Sequence, residues 1–267
     1  ARGQTILRGA PVEVASILRR SLFGRTRCVV LTSATLRVGG SFEHFRGRVG
    51  LEEPEERALG SPFDFKRQCR LLLHPDMPEP QEPGYDDAVT ARVRELVLES
   101  GGGAFVLFTS YRALERAHRA LAEELAGAGL TVLRQGADLL PKGILAAFHE
   151  RPDCVLFATD TFWQGVDVRG RNLRLVIVTR LPFSVPDHPL QQARVERIEE
   201  EGGDAFRELS LPQAVLRLRQ GFGRLIRSHD DKGTVAILDP RICTRSYGPL
   251  FLRSLPDVPG TWIRCRN

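Results

Sequence analysis

Apolar positions recur along this chain in two alternating periods. Short, nearly continuous apolar runs occupy residues 28–32, 69–74, 104–109, 130–134, 154–159, 173–181 and 233–239. Runs of that length, rich in Val, Ile, Leu and Phe, predict strands buried on both faces. Between most of them the apolar positions fall at helical spacing, over residues 85–100, 111–126, 142–150, 211–228 and 249–255. An earlier helix is predicted over 11–23, where Val14, Ile17, Leu18 and Leu22 share a face and Pro11 stands near the start. Strands alternating with amphipathic helices predict an α/β fold, a parallel sheet covered by helices on both faces.

Breakers divide the pattern. Gly101-Gly102-Gly103 ends one helix before the next strand, and residues 37–66 read as loop-rich. Pro75, Pro78, Pro80 and Pro83 fall close together and predict a stiff linker or domain seam. The expected division is an N-terminal segment, 1–75, packing on or continuous with a main domain over 84–267. The chain opens on Ala1-Arg2-Gly3 without a Met, so it is expected to be cut from a longer polypeptide. No repeat and no low-complexity tract is evident.

Composition narrows the class. With 267 residues the chain is long enough for a real core, and 42% hydrophobic with 27% charged residues is ordinary for a soluble domain. No apolar run is long enough to span a bilayer and no signal-peptide pattern opens the chain, so neither a membrane nor a secretory setting is expected. The net charge of +5 rests almost wholly on arginine; the lysines are Lys66, Lys142 and Lys232. Arginine grips phosphate bidentately, so the bias suits an anionic partner, although a GC-rich genome produces the same composition. Cys28, Cys69, Cys154, Cys243 and Cys265 show no C-x-x-C spacing, which signals neither a zinc site nor an iron–sulfur cluster. Cys28 and Cys154 sit in strand-like runs and are expected to be buried thiols. An odd cysteine count without a framework predicts a reducing, cytoplasmic compartment. Asp187-His188-Pro189 lacks a second ligand pair, and Glu199-Glu200-Glu201 reads as a solvated helix face ending at Gly202-Gly203; no metal site is expected.

In a parallel sheet, ligands gather at the carboxyl ends of the strands. Those ends carry Thr32-Ser33-Ala34-Thr35, Thr109-Ser110-Tyr111, Thr159-Asp160-Thr161 and Asp239-Pro240-Arg241. Small hydroxyls suit phosphate oxygens, and they also suit the capping of the next helix. The most informative segment is Gln220-Gly221-Phe222-Gly223-Arg224-Leu225-Ile226-Arg227. On a helix, Gln220, Gly223, Arg224 and Arg227 would share one face, opposite an apolar stripe of Val215, Leu218, Phe222, Leu225 and Ile226. Two guanidiniums beside a bare backbone suit a triphosphate whose charge shifts during transfer; a solvated basic face is the alternative.

The order Q-x-x-G-R-x-x-R resembles motif VI of superfamily 2 helicases. The longer string from Leu211 to Ser228 is similar to the DinG branch of the DinG/XPD-type DNA helicases. Leu31-Thr32-Ser33-Ala34-Thr35-Leu36 resembles motif III, Phe105-Val106-Leu107-Phe108-Thr109-Ser110-Tyr111 motif IV, and Phe162-Trp163-Gln164-Gly165-Val166-Asp167 motif V. Where the family usually has Glu, this chain has Gln164, which removes a charge and puts any acid role there in doubt. Leu181-Pro182-Phe183-Ser184-Val185-Pro186 and Leu238-Asp239-Pro240-Arg241 also resemble DinG strings, and a family-typical segment is expected over about 182–211.

The resemblance implies the second RecA-like motor domain of an ATP-dependent DNA helicase, with a role in DNA repair or recombination. It makes Arg224 and Arg227 arginine fingers, with Gln220, Gly223, Gly165 and Asp167 at the nucleotide. Single-stranded DNA would meet Thr32, Ser33, Thr35, Thr109, Ser110 and Arg112, with Phe162 and Trp163 stacking on bases. ATP and Mg²⁺ would be held mainly by an N-terminal motor domain, because no G-x-x-x-x-G-K-[ST] occurs here. The chain by itself is therefore expected to be inactive. A non-catalytic nucleic-acid-binding or regulatory module of the same fold, or an RNA helicase domain, remains the alternative.

Overall fold

The computed structural model describes residues 9–136, 141–159, 172–184, 188–223, 225–226 and 228–262. Its centre is a seven-stranded sheet in which every pairing is parallel. The strands are β1 Cys69–Leu73, β2 Ala104–Phe108, β3 Thr131–Arg134, β4 Cys154–Thr159, β5 Leu175–Val178, β6 Gly233–Ile237 and β7 Gly260–Trp262. Their spatial order is β3-β4-β2-β5-β6-β1-β7. The helices are α1 Ala15–Leu18, prolonged by a π-helical turn over Arg19–Phe23, then α2 Glu43–Val49, α3 Phe65–Gln68, α4 Tyr85–Ser100, α5 Tyr111–Gly127 and α6 Pro141–Glu150. After β5 come α7 Pro189–Glu200, a π-helical turn Phe206–Ser210, α8 Leu211–Phe222, α9 Arg241–Thr244 and α10 Gly248–Ser254.

Strand alternation divides the core into two layers. Leu71, Leu73, Phe105, Leu107, Leu156, Val176, Val178, Val235 and Ile237 point to one face, where Phe148 of α6, Val215, Leu218 and Phe222 of α8, and Phe251 of α10 cover them. Leu72, Val106, Phe108, Val155, Phe157, Ile177 and Ala236 point to the other, under Val93 and Val97 of α4 and Leu114, Leu121 and Leu125 of α5. Both faces are thus covered, which is why β2, β4 and β5 are buried at every position. Burying one such Phe or Leu stabilises the fold by about 1.5–3 kcal/mol. Gly102 and Gly103, at φ +91° and +62°, turn the chain into β2 so tightly that a Cβ would meet the Asp153 and Asn172 backbones within 2.6 and 2.4 Å.

Two local expectations fail. Residues 28–32 do not form a buried strand: the segment has no regular secondary structure and no sheet partner, Val30 is 81% exposed, and Cys28 is exposed rather than buried. β3 and β7 are the edges of the sheet, and this segment pairs with neither. The second is the helix over 211–228, which ends at Phe222. Leu225 and Ile226 are only 3% and 2% exposed, and Leu225 packs beneath Gly233 at the start of β6. The chain leaves the helical path at Gly223, and Leu225 then packs at the amino end of β6. The predicted helical face shared by Gln220, Gly223, Arg224 and Arg227 therefore does not extend past Gly223.

Among the described residues no helix is long and apolar enough to cross a membrane.

Candidate nucleotide and nucleic-acid interface

The structure separates the predicted site residues into two groups. The chain must leave the carboxyl end of β5 and re-enter at the amino end of β6, so α8 runs back along the sheet. Its last turn therefore lies near the amino ends of the strands, consistent with Leu225 packing on Gly233. Thr109, Ser110 and Arg112 follow β2 and sit at the opposite, carboxyl edge.

The first group surrounds a groove of about 1050 Å³. One wall is the segment Thr32, Ser33, Ala34 and Thr35; the other is the end of α8, with Arg219, Gln220 and Gly223. They touch across 185 positions of sequence: Gln220 Nε2 lies 3.5 Å from Thr35 Oγ1. Thr35 is prepositioned by its neighbour, since its backbone N–H donates to Ser33 Oγ at 3.2 Å and the two hydroxyls are 3.4 Å apart. Arg219 donates to the Arg37 carbonyl at 3.2 Å, a second tie between the same elements. Burial first, then the nearby Arg37, pulls the Arg219 pKa down. Gly223 follows the last helical residue, so it costs less than an interior helical glycine. A Cβ there would meet only carbonyl oxygens of its own helix, at 3.6 Å, which leaves the backbone open to a partner. Hydroxyls, an amide and open backbone at one groove suit the phosphate end of a nucleotide.

The second group lines a smaller pocket of about 320 Å³ that includes Thr109, Ser110, Arg112, Arg116, Thr179 and Arg180. Ser110 is the N-cap of α5, its hydroxyl accepting the Ala113 N–H at 3.3 Å. Capping and phosphate contact are compatible, because a hydroxyl has two lone pairs and a proton. Arg116 is already held by Asp86 and Asp87, at 3.1 and 2.7 Å. Arg112 and Arg180 make no ion pair with any described residue. Thr179 Oγ1 donates to the Leu107 carbonyl at 2.8 Å, and the Tyr85 hydroxyl donates to the Thr179 carbonyl, tying β5 to β2 and α4. Burial pushes the Tyr85 phenol well above its ordinary pKa, so it remains a donor. Beside them, Gln135 Oε1 accepts from the backbone N–H and the hydroxyl of Thr159, at 2.7 and 3.1 Å.

The sequence reading missed Arg180, and it named Asp239-Pro240-Arg241 at a strand end without the role the structure gives the carboxylate. Asp239 is fully buried and accepts the Leu181 N–H at 2.8 Å, while Arg241 forks onto it from Nε at 2.9 Å and Nη2 at 2.7 Å. The available signal was a cation following the apolar run of β5. Arg224, Arg227, Phe162, Trp163, Gly165 and Asp167 lie outside the described residues.

Residues 93–258 match the helicase C-terminal domain family. The chain is 42% identical over 253 residues to the ATP-dependent DNA helicase YoaA of Escherichia coli, covering 94% of this chain and 39% of that protein. It is 39% identical over 264 residues to the 3'-5' exonuclease DinG of Bacillus subtilis, covering 97% of this chain and 28% of that protein. It thus spans less than two fifths of either relative. A solved XPD helicase structure superposes with a TM-score of 0.66 over 94% of this chain and 45% of that one, at 16% identity.

Proposed function

Because this chain belongs to the helicase C-terminal domain family, among helicases of the DinG/XPD type, we propose that it is the second RecA-like lobe of an ATP-dependent DNA helicase. In this reading residues 84–267 form that lobe, and the segment 1–75 is continuous with it through β1, which lies between β6 and β7. Arg224 and Arg227 act as arginine fingers on a nucleotide held mainly by the first lobe, and Gln220, Gly223, Gly165 and Asp167 complete the site from this side. Bound ATP supplies the phosphoryl group and Mg²⁺ offsets its charge. Guanidiniums supplied across a cleft stabilise that charge as it shifts.

The observation that carries the reading is the contact between Gln220 and Thr35. It links the segment expected at the nucleotide to the segment expected to sense DNA, so movement of one is transmitted to the other. The support for the fingers is the Q-x-x-G-R-x-x-R order and family membership, not a shared helical face. Thr32, Ser33, Thr35, Thr109, Ser110 and Arg112 would hold the phosphates of single-stranded DNA, and Phe162 and Trp163 would stack on its bases. The exposed run at 28–31, with Val30 open to solvent, would pair with the first lobe, which would bury it. The chain alone would turn over no ATP, and the whole protein would act in DNA repair in the cytoplasm.

The test is Arg224→Ala in the whole protein. ATP turnover should fall by roughly 10³-fold or more, with single-stranded DNA affinity within twofold of the parent. Unchanged turnover overturns the finger assignment. Lost DNA binding with turnover retained points instead to a nucleic-acid-binding module.

A further inference from the structure

A third cavity, lined by charged side chains of both signs, lies apart from both groups. A cavity of about 500 Å³ opens between α2, α7 and the turn that leads into α8. Leu209 and Pro212, at the start of α8, form part of its wall, so it lies toward the carboxyl edge of the sheet. Val12, Val38 and Ile198 make it partly apolar. Into it come Arg48 from α2 and Arg194 and Arg197 from α7, two elements about 140 positions apart.

Four arginines and four glutamates line it together with His44, yet the arginines are unevenly satisfied. Arg197 is satisfied, by Glu13 at 3.2 Å and Glu201 at 2.9 Å. Arg194 is half-buried and uses one donor, Nε to the Val12 carbonyl at 3.2 Å. Arg48 is half-buried and has no hydrogen bond or ion pair with any described residue. Burial, then the neighbouring Arg194, pulls the Arg48 pKa down, while Glu13 raises it. Burial, then Arg48, pulls the His44 pKa down, while a hydrogen bond with the Glu208 backbone raises it. Glu43, Glu201, Arg207 and Glu208 complete the charged rim. Arg207 is engaged by Asp204 at 3.4 Å, and Glu208 by the Asp204 backbone at 2.9 Å. Arg48 and Arg194 therefore face one cavity half-buried and with donors unspent, each adding to the other's positive field, while Glu13 acts on Arg48. Such an arrangement is relieved by an anion bound between the cations.

We propose that this cavity binds a phosphate group, gripped by the guanidinium forks of Arg48 and Arg194. Planar guanidinium donors match tetrahedral phosphate oxygens, and the apolar wall strengthens the contact by excluding water. The phosphate belongs either to a nucleic-acid strand crossing the carboxyl edge or to free inorganic phosphate. The site does not depend on the helicase reading or on ATP turnover.

The experiment uses the whole protein, with inorganic phosphate and a fluorescent dT20 oligonucleotide as separate probes. Arg48→Gln combined with Arg194→Gln should weaken binding of one probe at least tenfold. Glu13→Gln, which removes the competing carboxylate, should strengthen it several-fold, a gain that misfolding cannot mimic. If the oligonucleotide responds and its salt slope falls by about one to two units, the source is a strand phosphodiester. If inorganic phosphate alone responds, the source is the free ion. The proposal is overturned if neither probe's affinity changes in the double variant, or if Glu13→Gln leaves both unchanged.

Discussion

Replacing Asp239 with Ala should be among the most damaging single changes to this domain. The carboxylate is fully buried and its partner Arg241 is only 12% exposed. It accepts four hydrogen bonds: two from the Arg241 side chain, one from the Arg241 backbone N–H at 3.1 Å and one from the Leu181 N–H at 2.8 Å. Truncation leaves a nearly buried guanidinium without its counter-charge and a buried N–H without an acceptor. Breaking a buried pair from one side costs about 3–5 kcal/mol, and the orphaned amide adds about 1–3 kcal/mol. The two overlap, so the expected loss is about 4–6 kcal/mol, comparable with the whole stability of many domains. Asp239→Asn keeps the shape and one acceptor, and should lose about half as much. Urea denaturation followed by circular dichroism measures both, with an unchanged slope indicating an unchanged folded state. A loss below about 1 kcal/mol for Asp239→Ala would refute the argument, because it would mean Arg241 finds solvent at no cost. The Arg241 guanidinium also lies 5.6 Å over the Phe183 ring, so the Leu181–Phe183 turn should loosen with it, visible as faster amide exchange at Leu181.

Four further outcomes are expected. His74 is fully buried, neither ring nitrogen has a hydrogen-bond partner among the described residues, and burial, then Arg92, holds its pKa down to about 4. Its folded pKa lies below its unfolded value of 6.5, so the unfolded chain binds more protons on acidification. The contribution is complete above pH 6.5 and is lost as pH falls toward 4, about 3 kcal/mol in all; His74→Leu should flatten that slope in denaturation series at pH 4.5 and 7. Gly248→Ala places a Cβ 2.1 Å from the Ile242 carbonyl oxygen and should cost about 3 kcal/mol by overpacking, read from the same urea curves. Arg116→Ala removes two exposed ion pairs and should change stability by less than about 1 kcal/mol. Arg112→Ala in the whole protein should weaken oligonucleotide binding and lower its salt slope by about one unit; an unchanged slope removes Arg112 from the interface.

Local chemistry made most of the fold legible. The apolar runs of β2, β4 and β5 are long enough and β-branched enough to be strands wherever they lie, and the 3.6 period of α4 and α5 needs no tertiary help. The same holds for the hydroxyls at the ends of β2 and β4 and for the Q-x-x-G-R-x-x-R order, since spacing alone encodes them. Strand order, by contrast, is a matter of long-range pairing. Nothing local says that β1 inserts between β6 and β7, or that a three-residue β7 exists at all. Residues 28–32 have the composition of a strand yet pair with neither edge strand, β3 nor β7, which composition cannot report. The end of α8 at Phe222, after which Leu225 packs against Gly233 of β6, is decided in three dimensions rather than by helix propensity. The meeting of Thr35 with Gln220, and of Arg48 with Arg194, likewise exists only once the chain has closed on itself, because each pair joins side chains far apart in sequence.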